Sequence, residues 1–278
     1  MNDKPFCYVT MFFEINRDKW KNVFTRTFTQ YLKEFEPFIP LFNKKTCKDD
    51  LLIVFIDKKW EYMLDEKIEL YKIDNNSFNI KVVGIDTNFM SFLPMWNTLE
   101  TEKKIMHSEY FKAVIAERHV YPEHTYPEYT LINHCKIDLL CALIESKKIN
   151  YEYYCWVDFG FFKLKENIPE KLLDINKFDL ERINYTLINP IDELDKNIYY
   201  TLRRAPEKVG GYFFLGHRNK LQEFQKIYHE MLNYFQNILN IVDDDQHLVL
   251  QCYFKNPSLF KMHYLGKWHS VLCEYQQK

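Results

Sequence analysis

The stretch YEYYCWVDFG, residues 151–160, decides how this chain is read. Tyr153–Val157 is an unbroken apolar and β-prone run, the pattern of a strand buried on both faces. It stops at a single carboxylate, Asp158. Phe159 then returns to the core, and Gly160 lets the backbone turn or a ligand approach closely. Asp158-Phe159-Gly160 also spells the magnesium-binding tripeptide of protein kinases. A kinase further needs a glycine-rich phosphate loop and an HRD-type catalytic loop. The chain has six glycines, none in G-x-G-x-x-G or P-loop spacing, and HCKIDLL (134–140) lacks the Arg-Asp pair. Position explains the carboxylate better. In open parallel sheets, ligands bind beyond the carboxyl ends of the strands. A carboxylate there is a handle for a divalent cation carrying a diphosphate. The plainer alternative is that Asp158 caps the next turn.

Working outward, strand-like and helix-like segments alternate. Phe6–Ile15, Leu51–Ile56, Ile80–Ile85 and Gly211–Leu215 read as further strands. Trp20, Phe24, Phe28, Tyr31 and Phe35 recur at helical spacing until Pro37 and Pro40. Residues 86–127 read as helices broken by loops, and Tyr129–Ser146 as a strong helix with Ile132, Leu139, Leu140 and Leu143 on its apolar face. Residues 217–240 read as a long helix, and Asp243–Asp245 as the cap of another. The alternation predicts an α/β fold with a mostly parallel central sheet flanked by helices. No repeat or linker divides the chain, which is expected to form one domain over 1–278.

The bulk numbers narrow the class. The 278 residues are 47% hydrophobic, enough for one large core. A net charge of −2 provides no field for nucleic acid. Seven cysteines without CxxC spacing fit reduced thiols. No apolar run reaches membrane-spanning length, so the expectation is a soluble cytoplasmic protein, with peripheral membrane contact left open by its aromatic richness.

Several motifs then occur in a fixed order: F-F-E-I-N-R ahead of Trp20, Arg118–Glu123, Tyr129–Lys136 (Y-x-x-x-N-x-x-K), W-V-D-F-G at 156–160, G-G-Y-F-F-L-G at 210–216, D-D-Q at 244–246, and Y-L-G-K-W-H at 264–269. In this order they resemble the HtrL/YibB family. The resemblance implies a GT-A-type nucleotide-binding sandwich, with about 1–160 as the nucleotide-binding half and 161–278 as the acceptor-binding half. It implies a glycosyltransferase moving a sugar from a nucleotide-diphospho-sugar, such as a UDP-sugar, to a glycan or other hydroxyl acceptor, with manganese or magnesium as cofactor. The chain departs from the acidic D-x-D pattern of such folds, because Trp156 stands where the first acid would. That departure supports an alternative, a non-catalytic carbohydrate- or protein-binding module on a decayed transferase scaffold.

The candidate site residues follow. Asp158 is the expected metal ligand. His263 or His269 is the second, by similarity to the H-x-x-G-x-x-K-P-W element of metal-dependent GT-A enzymes, with Gly266 and Lys267 at the diphosphate. Lys136 sits beside Ile132, Leu139 and Leu140, where a lysine must snorkel, pair or meet a ligand. Asn133 lies one turn earlier. Arg17 and Arg118 are candidate phosphate clamps or surface ion pairs. An acceptor hydroxyl needs a base, for which Asp245 is the first choice and Asp244 the second. Gln246 would suit a retaining mechanism instead. Gly210-Gly211 would admit a sugar or acceptor, or form a bulge.

Overall fold

The computed structural model describes residues 4–15, 17, 20, 27–47, 49–72, 77–116, 121–162 and 164–277, without the side chains of Phe89 and Lys165. Arg118 and Phe24 lie outside the described residues. The strands are β1 (Phe6–Phe12), β2 (Leu51–Asp57), β3 (Ile80–Ile85), β4 (Tyr153–Val157), β5 (Ile183–Leu187), β6 (Val209–His217) and β7 (Phe260–Tyr264). They form one sheet in the order β3-β2-β1-β4-β6-β5-β7. Pairing is parallel from β3 through β2 and β1 to β4, antiparallel on both sides of β6, and parallel again between β5 and β7. Only β6 therefore runs against the others. The carboxyl ends of β1, β4, β5 and β7 share one edge with the amino end of β6. The expected α/β architecture is what the chain adopts, and its sheet continues without a break across position 160.

β4 is buried along its whole length, as its unbroken apolar run requires. Tyr154 and Trp156 enter the core on one face, and Tyr153, Cys155 and Val157 the core on the other. The first face is covered by α3 (Leu99–His107), α4 (Glu109–Ile115), α5 (Pro127–Glu145), α6 (Ile198–Arg204), α7 (Arg218–Asn233) and α8 (Asp245–Lys255). The second is covered by α1 (Phe28–Phe35), α2 (Glu61–Leu70) and α9 (Val271–Glu274).

Two expectations are adjusted, and two strands were not foreseen. The first described helix starts at Phe28, not Trp20, because Thr27 and Gln30 form a reciprocal capping box there. Trp20 stacks on Tyr126 instead, with centroids 4.6 Å apart. The long helix at 217–240 closes in a π-helical turn, Tyr234–Leu239, stopped by left-handed Asn240. Strands β5 and β7 have no counterpart in the sequence reading. INYTL and FKMHY are short, and their polar residues mask the β pattern.

Candidate functional site

The site grows from the end of β4. The Asp158 N–H donates to the Tyr212 carbonyl of β6 (3.0 Å), and Phe161 N–H closes a turn on the Asp158 carbonyl (2.9 Å). Phe159 stacks on Phe35 at 4.2 Å, which anchors the turn from below. The Asp158 side chain is thereby left at the sheet edge, about one-third exposed. It is not a turn cap. Its Oδ1 accepts from Trp156 Nε1 at 2.7 Å. Trp156, two residues earlier on β4, thus orients the carboxylate.

Lys136 projects from α5 toward the same point and is 5% exposed. Its Nζ donates to Asp245 Oδ2 (2.8 Å), the Gly211 carbonyl (2.9 Å) and Asp158 Oδ2 (3.2 Å). The three ammonium protons are taken up by three acceptors from β4, β6 and α8. Lys136 therefore pairs; it does not snorkel, and it reaches no outside phosphate without giving up one of these bonds. Burial opposes its charge, but Asp158 and Asp245 outweigh burial and hold its pKa above the ordinary lysine range. Burial pushes the Asp245 carboxyl up to about 6 against the pull of Lys136, with Asp244 and Asp158 adding to the rise.

α8 brings the acidic run. Asp244 is its N-cap, accepting from His247 N–H at 2.9 Å. Asp243 is buried and meets His247 Nδ1 at 2.8 Å and His124 Nε2 at 3.5 Å. Burial alone would raise the Asp243 carboxyl, but the two histidines overcome it and hold it low. Asp243, Asp244 and His247 bring possible ligand atoms within 4.8 Å of one another, a group with cation-holding spacing. Gly211 makes room for Asp245, since a Cβ there would lie 2.9 Å from Asp245 Oδ2. Gly211 thus serves the approach of a helix, while a Cβ at Gly210 would meet the side chains of Thr186 and Tyr212 within the sheet. The paired glycines also sit at an irregularity, where the β5–β6 register shifts.

Two adjoining clefts open on this edge and share Tyr129, Asn133, Lys136, Asp158 and His269. The smaller, about 170 Å³, adds Arg17, Tyr31, Trp156 and Gly160. The larger, about 450 Å³, adds Asp244, Asp245, Gln246, His247, Glu207 and Trp268. Arg17 lies over the rings of Trp20, Tyr31 and Tyr129 at 5.1–5.6 Å, and its Nε is buried without a hydrogen-bond partner among the described residues. Asn133 donates to the Tyr129 carbonyl at 3.0 Å.

Some candidates are not brought here. His263 points into the core beside Phe178; its Nε2 meets Asn184 at 2.8 Å and its Nδ1 meets Tyr275 at 3.1 Å. Burial pushes its pKa down to about 4. It is a core histidine, and His269 is the one at the cleft. Gly266 takes φ +68° at the loop turn, and Lys267 is exposed; neither lines the clefts. Sequence reasoning missed His247 and Glu207, and named Tyr129 only as the start of the Tyr129–Lys136 motif. For His247 a signal existed: it lies four residues after Asp243, one helical turn.

These features define an α/β protein with adjoining polar clefts at the carboxyl edge of a mostly parallel sheet. The chain belongs to the HtrL_YibB family: the family model, described as "Bacterial protein of unknown function (HtrL_YibB)", matches residues 5–276. It is 26% identical over 273 residues to Protein HtrL of Escherichia coli (strain K12), covering 95% of this chain and 90% of that protein. Among solved structures, 4-diphosphocytidyl-2C-methyl-D-erythritol synthase from Anaerococcus prevotii DSM 20548 is similar at TM-score 0.42 and 12% identity, covering 99% of this chain and 92% of that one. A solved structure of a transferase mutant is similar at TM-score 0.34 and 12% identity, covering 81% of this chain and 77% of that one. No helix among the described residues is long and apolar enough to cross a membrane.

Proposed function

We propose that the protein is a glycosyltransferase moving a sugar from a nucleotide-diphospho-sugar to a hydroxyl acceptor. One observation carries the reading. Asp158, Asn133, His269 and the adjacent pair Asp244–Asp245 come from four separate parts of the fold and meet at adjoining clefts on the carboxyl edge of the sheet, with Arg17 in the smaller one.

The donor chemistry suits a divalent cation. The larger cleft is rich in carboxylates, and a diphosphate entering it requires a counter-charge. Asp158 is partly exposed, and its Oδ2 receives only the 3.2 Å contact from Lys136. Asp158 and the His269 imidazole would hold the ion, which supplies charge neutralisation at the departing diphosphate. Arg17 offers a buried, unpartnered guanidinium N–H to phosphate oxygens. Asp245 is tied to Lys136, so the base falls to Asp244, whose side chain is more exposed and lines the cleft. In transfer, the acceptor oxygen bonds to the anomeric carbon and that carbon's bond to the diphosphate oxygen breaks. The nucleoside diphosphate leaves with the electron pair, and Asp244 takes the acceptor proton.

A thermal-shift screen with UDP, GDP, CMP and dTDP, with and without manganese, tests this. A ligand of the folded state raises its melting point by mass action. The expected result is a shift from one nucleotide that needs metal and is lost in Asp158→Ala. No shift from any nucleotide would sink the transferase reading and leave the non-catalytic binding module.

A further inference from the structure

The larger cleft has two unlike walls. On one, the half-buried Trp268 ring is held by Tyr212 and His269, with centroids 5.7 and 5.9 Å away. Its Nε1 donates to Glu207 at 3.1 Å, so a carboxylate is fixed at the edge of an aromatic face. The other wall is the start of α8, with Asp244 and Asp245. Among the described lining residues, the carboxylates are Glu123, Asp158, Glu207, Asp244 and Asp245, and the one ammonium, Lys136, has its protons committed to Asp158, Asp245 and Gly211. Arg17 lines only the smaller cleft. The charge is therefore divided: a cationic group on the side of the smaller lobe, surplus carboxylate in the larger one.

An aromatic face with an acceptor at its rim matches a sugar ring, which offers a C–H face and hydroxyl donors at its edge. The surplus carboxylate selects further, because a phosphate or carboxylate on that sugar would meet like charge, while the cation proposed above is matched by the donor diphosphate. We propose that the acceptor is a sugar without anionic groups, neutral or amine-bearing, stacked on Trp268 with a hydroxyl or ammonium toward Glu207. Trp268 sets affinity and Glu207 sets charge selectivity. The proposal rests on the transferase reading above for calling this ligand the acceptor.

Saturation-transfer NMR with methyl glucoside, glucosamine, glucuronate and glucose 6-phosphate, in the presence of UDP and manganese, tests it, with UDP affinity followed separately by calorimetry. Methyl glucoside and glucosamine are expected to bind, and both anionic sugars to bind at least ~10-fold more weakly. Trp268→Ala should weaken methyl glucoside at least ~10-fold and leave UDP affinity within ~2-fold, the mark of a lost stacking face. Glu207→Gln should narrow the anionic penalty by ~3-fold or more, read as the ratio of glucose 6-phosphate affinity to methyl glucoside affinity in the same variant. Anionic sugars that bind as well as methyl glucoside would overturn the proposal, as would no sugar binding, or a Trp268→Ala variant that binds sugar normally. If UDP does not bind but the sugar pattern holds, the donor reading fails and the selectivity of the sugar site stands.

Discussion

At the scale of single residues, Lys136 settles most of the site's electrostatics. It is the one cation among two carboxylates, and it ties β4, β6 and α8 together. Replacing one partner of a buried ion network leaves uncompensated charge. Lys136→Met is therefore expected to destabilise the fold by about 3–5 kcal/mol, read by urea denaturation. It should also raise the Asp245 pKa further, since the group that opposes the rise is removed. Glu102 poses a separate residue-scale problem. It is fully buried on α3, accepts from Gln236 at 3.0 Å, and is pushed by burial up to about 8. Its folded pKa lies above its unfolded value, so the folded state keeps a proton that the unfolded chain releases. The contribution to stability is full below the unfolded pKa of 4.5 and is lost as pH rises through about 8. Glu102→Gln mimics the protonated acid. Its melting point is expected to match wild type within ~2 °C near pH 5 and to exceed it by ~5 °C near pH 9.

At the scale of elements, the start of α8 combines a structural and a chemical role in one side chain. Asp244 caps the helix and lines the cleft, and two substitutions separate the roles. Asp244→Asn keeps an N-capping oxygen, so stability should change by less than ~0.5 kcal/mol. Asp244→Ala loses the cap and should cost about 1 kcal/mol. If Asp244 is the base, both should lower kcat by ~100-fold or more. An Asn variant that retains turnover would return Asp244 to capping alone. The same element shows what sets Asp245, the first choice from sequence, apart: it is paired with Lys136. Position in the chain barely separates it from Asp244, and only the packing of α5 against α8 delivers Lys136 to it.

At the scale of the whole molecule, the two cores on either face of the sheet absorb the cysteines. Cys7, Cys47, Cys135, Cys141, Cys155 and Cys252 are buried and Cys273 is half-buried, all as free thiols. Burial pushes the Cys47 thiol up to about 12, and the other buried thiols are raised as well. A thiol reagent at pH 8 should therefore label about one site in the native protein and all seven in denaturant, read by mass spectrometry. Rapid native labelling at several sites would show that the cores open readily.

What the sequence determined by itself was largely what depends on local pattern. The unbroken apolar run of β4, the periodic faces of α5 and α7, and a carboxylate at a strand end are short-range facts, and the α/β sheet follows from their alternation. Asp158 and the 244–246 run stood out as candidates because polar residues at the ends of apolar elements are conspicuous in the sequence. The tertiary structure decided which of them meet. Lys136 is 22 residues from Asp158 and 109 from Asp245 along the chain, yet it shares hydrogen bonds with both. His263 and His269 are alike in sequence, but β7 turns the first into the core toward Asn184 and the loop after it carries the second to the cleft. The physical reason is that burial and charge pairing are set by neighbours brought together by strand order, and strand order is fixed by packing over the whole sheet.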